Sequence, residues 1–191
     1  MATAINQREH LDQLLRDSAE IDARAEALAA RLGPGQLNWS PPEGGWGVGQ
    51  VFEHLCVAND SYLERFEAIL ARPDAPRATE ASAWRPSVMG GMLARALSPR
   101  STRKTRAPKR YRVGGTPRPN VVGEFLRRQR DLEAYMRRAA PLDWRRTRAT
   151  SPISPLIRLN LGDCFTILVV HAQRHMGQIE RLLGRPDFPA G

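Results

Sequence analysis

An all-α fold, a four-helix bundle with one long basic excursion, is what this sequence predicts. Three observations carry the prediction. Apolar residues recur at helical spacing over four long stretches of the chain. Proline and glycine, 15 residues of each, gather between those stretches and not inside them. No run alternates apolar and polar side chains as a half-buried strand would.

The first helix is expected over 3–32, with Ile5, Leu11, Leu14, Leu15, Ile21, Ala25, Leu28 and Leu32 on one stripe. Gly33-Pro34-Gly35 ends it, because glycine and proline stop helices. A turn-rich loop over 36–47 follows and holds two of the four tryptophans, Trp39 and Trp46, placed to plug one end of the bundle. The second helix, 48–71, carries Val51, His54, Leu55, Ala58, Tyr62, Phe66, Ile69 and Leu70 on its inner stripe. Residues 72–120 form an irregular insertion within what reads as one domain over 1–191, with a short helix over 89–97. The third helix, 121–140, buries Val122, Phe125, Leu126, Leu132, Tyr135 and Met136. Residues 147–159 read as a loop. The fourth helix, 161–183, has Asp163 in its first turn, where a negative charge complements the helix dipole, and Gly184 at its end.

Composition excludes several classes. The chain is 41% apolar, enough for a core, and its longest apolar run is too short for a bilayer. The first residues show no apolar segment of a secretory signal, so a cytoplasmic location is expected. Two cysteines, Cys56 and Cys164, make no disulfide framework and are expected to be buried thiols. The net charge of +9 is uneven. Residues 95–148 hold 17 Lys+Arg against 4 Asp+Glu, whereas the rest holds 12 against 16. Such a patch is the electrostatic footprint of a nucleic-acid binder. Yet no binding motif accompanies it, and Tyr111 is the one aromatic residue between Trp84 and Phe125. Nucleic-acid binding is therefore the weaker reading.

The chemistry-bearing residues are histidines. His171 and His175 are four apart, one turn of a helix, which puts their side chains about 5–6 Å apart on one face. Both lie on the stripe Leu168, His171, His175, Ile179, Leu182, and His54 lies on the inner stripe of the second helix. A bundle can therefore converge three imidazoles, a donor set that suits Zn, Ni, Fe or Cu. Three protein ligands leave a fourth position open for water or substrate. The second nitrogen of each ring then needs an acceptor, and Gln178 is one turn from His175, while Glu53 and Asp60 flank His54.

The segments Asn38-Trp39-Ser40-Pro41, Gly45-Trp46-Gly47-Val48-Gly49-Gln50-Val51-Phe52-Glu53-His54-Leu55 and His171-Ala172-Gln173-Arg174-His175-Met176-Gly177-Gln178-Ile179 resemble the DinB-like superfamily. The resemblance covers the first two helices, their joining loop and the last helix. Gly47 departs from the Ser or Thr that often follows this tryptophan. The resemblance implies an up-up-down-down bundle, often a homodimer, with a divalent metal on His54, His171 and His175. Zn or Ni is the first expectation, with Fe or Mn as others. It further implies a metal-dependent transferase that joins a low-molecular-weight thiol to an electrophilic small molecule. The basic residues Arg103, Arg106 and Arg110 would meet carboxylates of such a thiol. The alternative is a non-enzymatic bundle with a structural or vestigial three-histidine site.

Overall fold

The structure, a computed structural model, describes residues 3–101 and 107–190. Six helices dominate it: α1 (Gln7–Arg31), α2 (Pro34–Asn38), α3 (Val48–Leu70), α4 (Val88–Leu97), α5 (Val121–Arg138) and α6 (Leu161–Leu183). The four long helices adjoin in the ring order α1, α5, α3, α6. The expected inner stripes of the second, third and fourth long helices are buried almost residue for residue. On the first only Leu14, Ile21, Ala25 and Leu28 are buried, whereas Leu11, Leu15 and Leu32 are partly covered and Ile5 is exposed. The stripes meet in one connected core centred on Phe52, Phe66, Phe125, Leu132 and Phe165.

Cross-helix pairs fix the helix directions. His10 meets Thr166 and Arg24 meets Glu180, so α1 and α6 run parallel. Asp60 meets Arg128 and Glu67 meets Arg138, so α3 and α5 also run parallel. Phe66 packs on Phe165 while His54 meets His171, so α3 and α6 are antiparallel. The order along the chain is thus up, down, down, up, and not the expected up-up-down-down. The physical reason is the number of crossovers. Up-up-down-down needs two long end-to-end connections. Here the segment 71–120 is the single connection that runs from one end to the other, and α1–α3 and α5–α6 turn back at the end they reach.

Other expectations shift locally. α1 starts at Gln7 because the Asn6 side chain accepts from Arg8 N (2.8 Å) and Glu9 N (3.3 Å), the usual role of an N-cap. Pro34, expected only to stop α1, opens the short α2, where its fixed backbone angle suits a first helical position. Two small antiparallel pairs were not foreseen. β1 (Ile5–Asn6) pairs with β2 (Ala83–Trp84), and β3 (Arg148–Thr150) pairs with β4 (Arg158–Asn160) in the segment expected to be a loop. Strands of two or three residues are too short to show a period, and pairing with a distant segment defines them.

The described parts of the insertion are fastened to the helices. Trp84 is buried, stacks on His10 at 4.0 Å and donates from Nε1 to Asn160 Oδ1 (2.9 Å). Asn160 caps α6 by accepting from Asp163 N (2.8 Å), and Asp163 accepts from Asn160 N in return (2.9 Å). α4 lies along α6, where Arg174 donates to Ser98 O and Ser101 O. Both cysteines are buried and free, as expected, and burial pushes the Cys56 thiol up to about 11. Among the described residues, no helix is long and apolar enough to cross a membrane.

Candidate metal centre

α3 begins in a tight corner that aims His54. Gly44 and Gly45 have φ of 95° and 111°, a region that glycine enters without strain. They reverse the chain so that the Trp46 ring lies against His54 at 4.6 Å and faces His175 at 6.4 Å. Gly47 follows as the N-cap. A Cβ there would stand 1.7 Å from Trp39 O, so the close approach of the loop demands glycine and excludes the Ser or Thr of the family pattern. Gln50 supplies the return half of a capping box, its Oε1 accepting from Gly47 N at 3.1 Å.

His54, His171 and His175 converge. Their relative exposures are 4%, 9% and 8%, so all three are removed from bulk water. His54 Nε2 is 3.2 Å from His171 Nε2, and His175 Nε2 is 3.0 Å from the same atom. The three ligand atoms all lie within 4.8 Å of one another. Nitrogens bound to one tetrahedral zinc at about 2.0–2.1 Å would be roughly 3.3 Å apart, close to the two short separations.

The outer nitrogens settle the tautomers. His54 Nδ1 donates to the carbonyl oxygen of Tyr111 at 2.8 Å, and His175 Nδ1 donates to Gln178 Oε1 at 2.8 Å. Each of these rings therefore presents a bare Nε2 lone pair inward. A single hydrogen on His171 Nε2 can satisfy one of them and not both. Protonation is no remedy, because burial drives every ring toward the neutral form. Burial, opposed by the Tyr111 carbonyl, lowers His54; burial and then the neighbouring rings hold His171 well below its ordinary value. Burial and then His54 bring His175 down to about 3. Neutral rings with converging lone pairs in a dry setting are what a divalent cation requires, so the residues fit a metal.

The histidines thus stand together as their spacing implied, and Gln178 serves as expected. Glu53 and Asp60 do not reach His54, since Arg118 and Arg128 hold them. The partner that sequence reasoning missed is Tyr111, which supplies a backbone carbonyl and so leaves no side-chain signal. It sits in a 3-10 turn over Lys109–Tyr111, where Arg110 donates to Pro152 O and lies over the Tyr111 ring at 5.2 Å. Arg110 is thereby engaged locally, and Arg103 and Arg106 lie outside the described residues. Cys56 and Cys164 stay apart from the cluster.

A mainly helical protein with three buried histidines shared between two helices, walled by a tryptophan, is a metal-competent helical protein. Residues 18–179 match the DinB superfamily, and the chain belongs to it. No curated protein and no solved structure matches the chain significantly.

Proposed function

We propose that the protein is a divalent-metal-binding four-helix bundle of a single domain that acts as a thiol S-transferase on electrophilic small molecules. The observation that carries the metal reading is the convergence of three Nε2 atoms, with the outer nitrogens of two of the rings, His54 and His175, already held by Tyr111 O and Gln178 Oε1. His54, His171 and His175 would hold the ion, with zinc or nickel first by the chemistry of an all-imidazole set. When bound, a divalent metal lowers the pKa of a coordinated thiol and keeps it as the reactive thiolate.

The chain's own residues supply the rest. Trp46 covers the His54 ring and limits water on that side. Tyr111 and Gln178 orient two ligand rings and keep their protons on Nδ1. The thiol gives up its proton to water, its sulfur forms a bond to the electrophilic carbon, and the bond from that carbon to the leaving group breaks, the leaving group departing with the electron pair. Membership of the superfamily supports this reaction class, and a homodimer in the cytoplasm accords with it. Elemental analysis of the purified protein tests the site, with one metal per chain expected and none in His171→Ala. Thiol consumption against a panel of electrophiles tests the chemistry. Metal binding without turnover of any thiol would reject the transferase and leave a structural site.

A further inference from the structure

The structure divides the basic central region into a paired part and an unpaired part. Along α5 and just before it, arginines meet carboxylates: Arg118 with Glu53, Arg127 with Glu124 and Asp131, Arg128 with Asp60 and Glu124, Arg138 with Glu67. These arginines stitch α5 to α3 or to itself. Arg145, Arg146 and Arg148 differ. They are exposed and, like Arg95, Arg100, Arg112 and Arg130, form no ion pair among the described residues; what sets them apart is that they share one cleft.

These three side chains line a cleft of about 630 Å³ with Ala81, Ala83 and Asp143. The cleft lies at the end where α3 and α5 finish and α6 begins. His54 is 16 residues before the end of α3, about 24 Å along the axis, so this is a separate place from the metal centre. Its base is rigid. Trp144 is fully buried, and its backbone N donates to Gln7 Oε1 (2.8 Å). Asp143 N donates to Pro76 O (2.7 Å), Thr147 N to Asp143 O (2.8 Å), and Leu161 N to Thr147 O (3.0 Å). The one acid of the cleft, Asp143, directs Oδ1 at Arg146 N (3.0 Å), so part of its charge is used to close the turn.

We propose that this cleft binds a small polyanion of the oligophosphate class. Three exposed guanidiniums line one cleft with a single carboxylate among them, and each offers the planar fork that fits phosphate oxygens. One carboxylate against three cations calls for a ligand with at least two negative charges. The cleft is open and its cationic lining comes from one short turn, a footprint that suits a small anion, whereas a duplex needs an extended surface. The remaining lining residues are the exposed Ala81 and Ala83, and no aromatic side chain lines the cleft, so there is no platform on which a base could stack. Recognition is thus of the phosphates.

The test is calorimetric titration of the full-length, EDTA-treated protein with inorganic triphosphate, at low and at moderate salt. Chelation keeps the probe from acting through the metal centre. One site per chain is expected. The triple variant Arg145→Ala, Arg146→Ala, Arg148→Ala should lose affinity about tenfold or more, and the charge reversal Arg146→Glu should also weaken it severalfold. The double variant Arg95→Ala, Arg100→Ala, which removes two exposed charges elsewhere, should bind as the parent does. Circular dichroism checks that each variant folds. No binding by the parent would overturn the proposal, and so would equal losses in the triple and double variants, which would mean attraction by net charge alone. Duplex DNA that binds the parent more tightly than triphosphate, and is lost in the triple variant, would replace the proposal with a nucleic-acid surface.

Discussion

A metal at the histidine cluster should clamp α3 to α6, and the clamp is measurable as stability. His54 lies on α3, and His171 and His175 lie on α6, with His171 within 3.2 Å of both others. An ion that binds only the folded chain at 100 times its Kd stabilises it by about 2.7 kcal/mol. For a chain of this size that raises Tm by about 5–11 °C, from about 2–4 °C per kcal/mol. His171→Ala removes the central nitrogen, and its Tm should not respond to metal. Gln178→Leu keeps all three ligands but removes the acceptor of His175 Nδ1. Loss of such an outer partner costs about 10–100-fold in metal affinity, which at the same metal concentration leaves about 0.4–1.4 kcal/mol and a shift of about 1–6 °C. The assay is differential scanning fluorimetry of chelator-stripped protein with added Zn or Ni. A parent protein whose Tm does not move, or a His171→Ala variant that shifts as far as the parent, would refute the three-histidine clamp.

Further outcomes follow from other contacts. His10 is buried against Trp84 and Trp144, and burial lowers it to about 4. The folded form stays neutral while the unfolded chain takes up a proton near pH 6.5, so stability from this group is full above that pH and is lost as pH falls toward 4. The loss is about 1.4 kcal/mol at pH 5.5, and urea unfolding of His10→Asn should show a pH slope shallower by one proton in that window. Trp46 stands 4.6 Å from His54, so Ni should quench tryptophan fluorescence, and Trp46→Phe should lose most of that quenching. A Cβ on Gly162 would stand 2.2 Å from Trp84 Nε1, so Gly162→Ala should cost about 1–3 kcal/mol in thermal unfolding while metal content is retained.

By itself the sequence determined the long helices, most of their buried stripes and the identity of the three histidines that converge. Each of these is a local property, since a period of 3.6 residues is written in successive side chains, and the four-residue step from His171 to His175 fixes a shared face. Even the helix directions had a trace in it, because the chain has one long excursion, not two. The tertiary structure alone decided the rest. The Tyr111 carbonyl on His54, the strand pairs of two and three residues, the Trp39 oxygen that forbids a side chain on Gly47, and the division of arginines into paired and unpaired all depend on segments distant in sequence. A backbone carbonyl looks the same after every residue, and an arginine looks the same whether or not a carboxylate waits across the helix interface. Only packing brings the second group within reach.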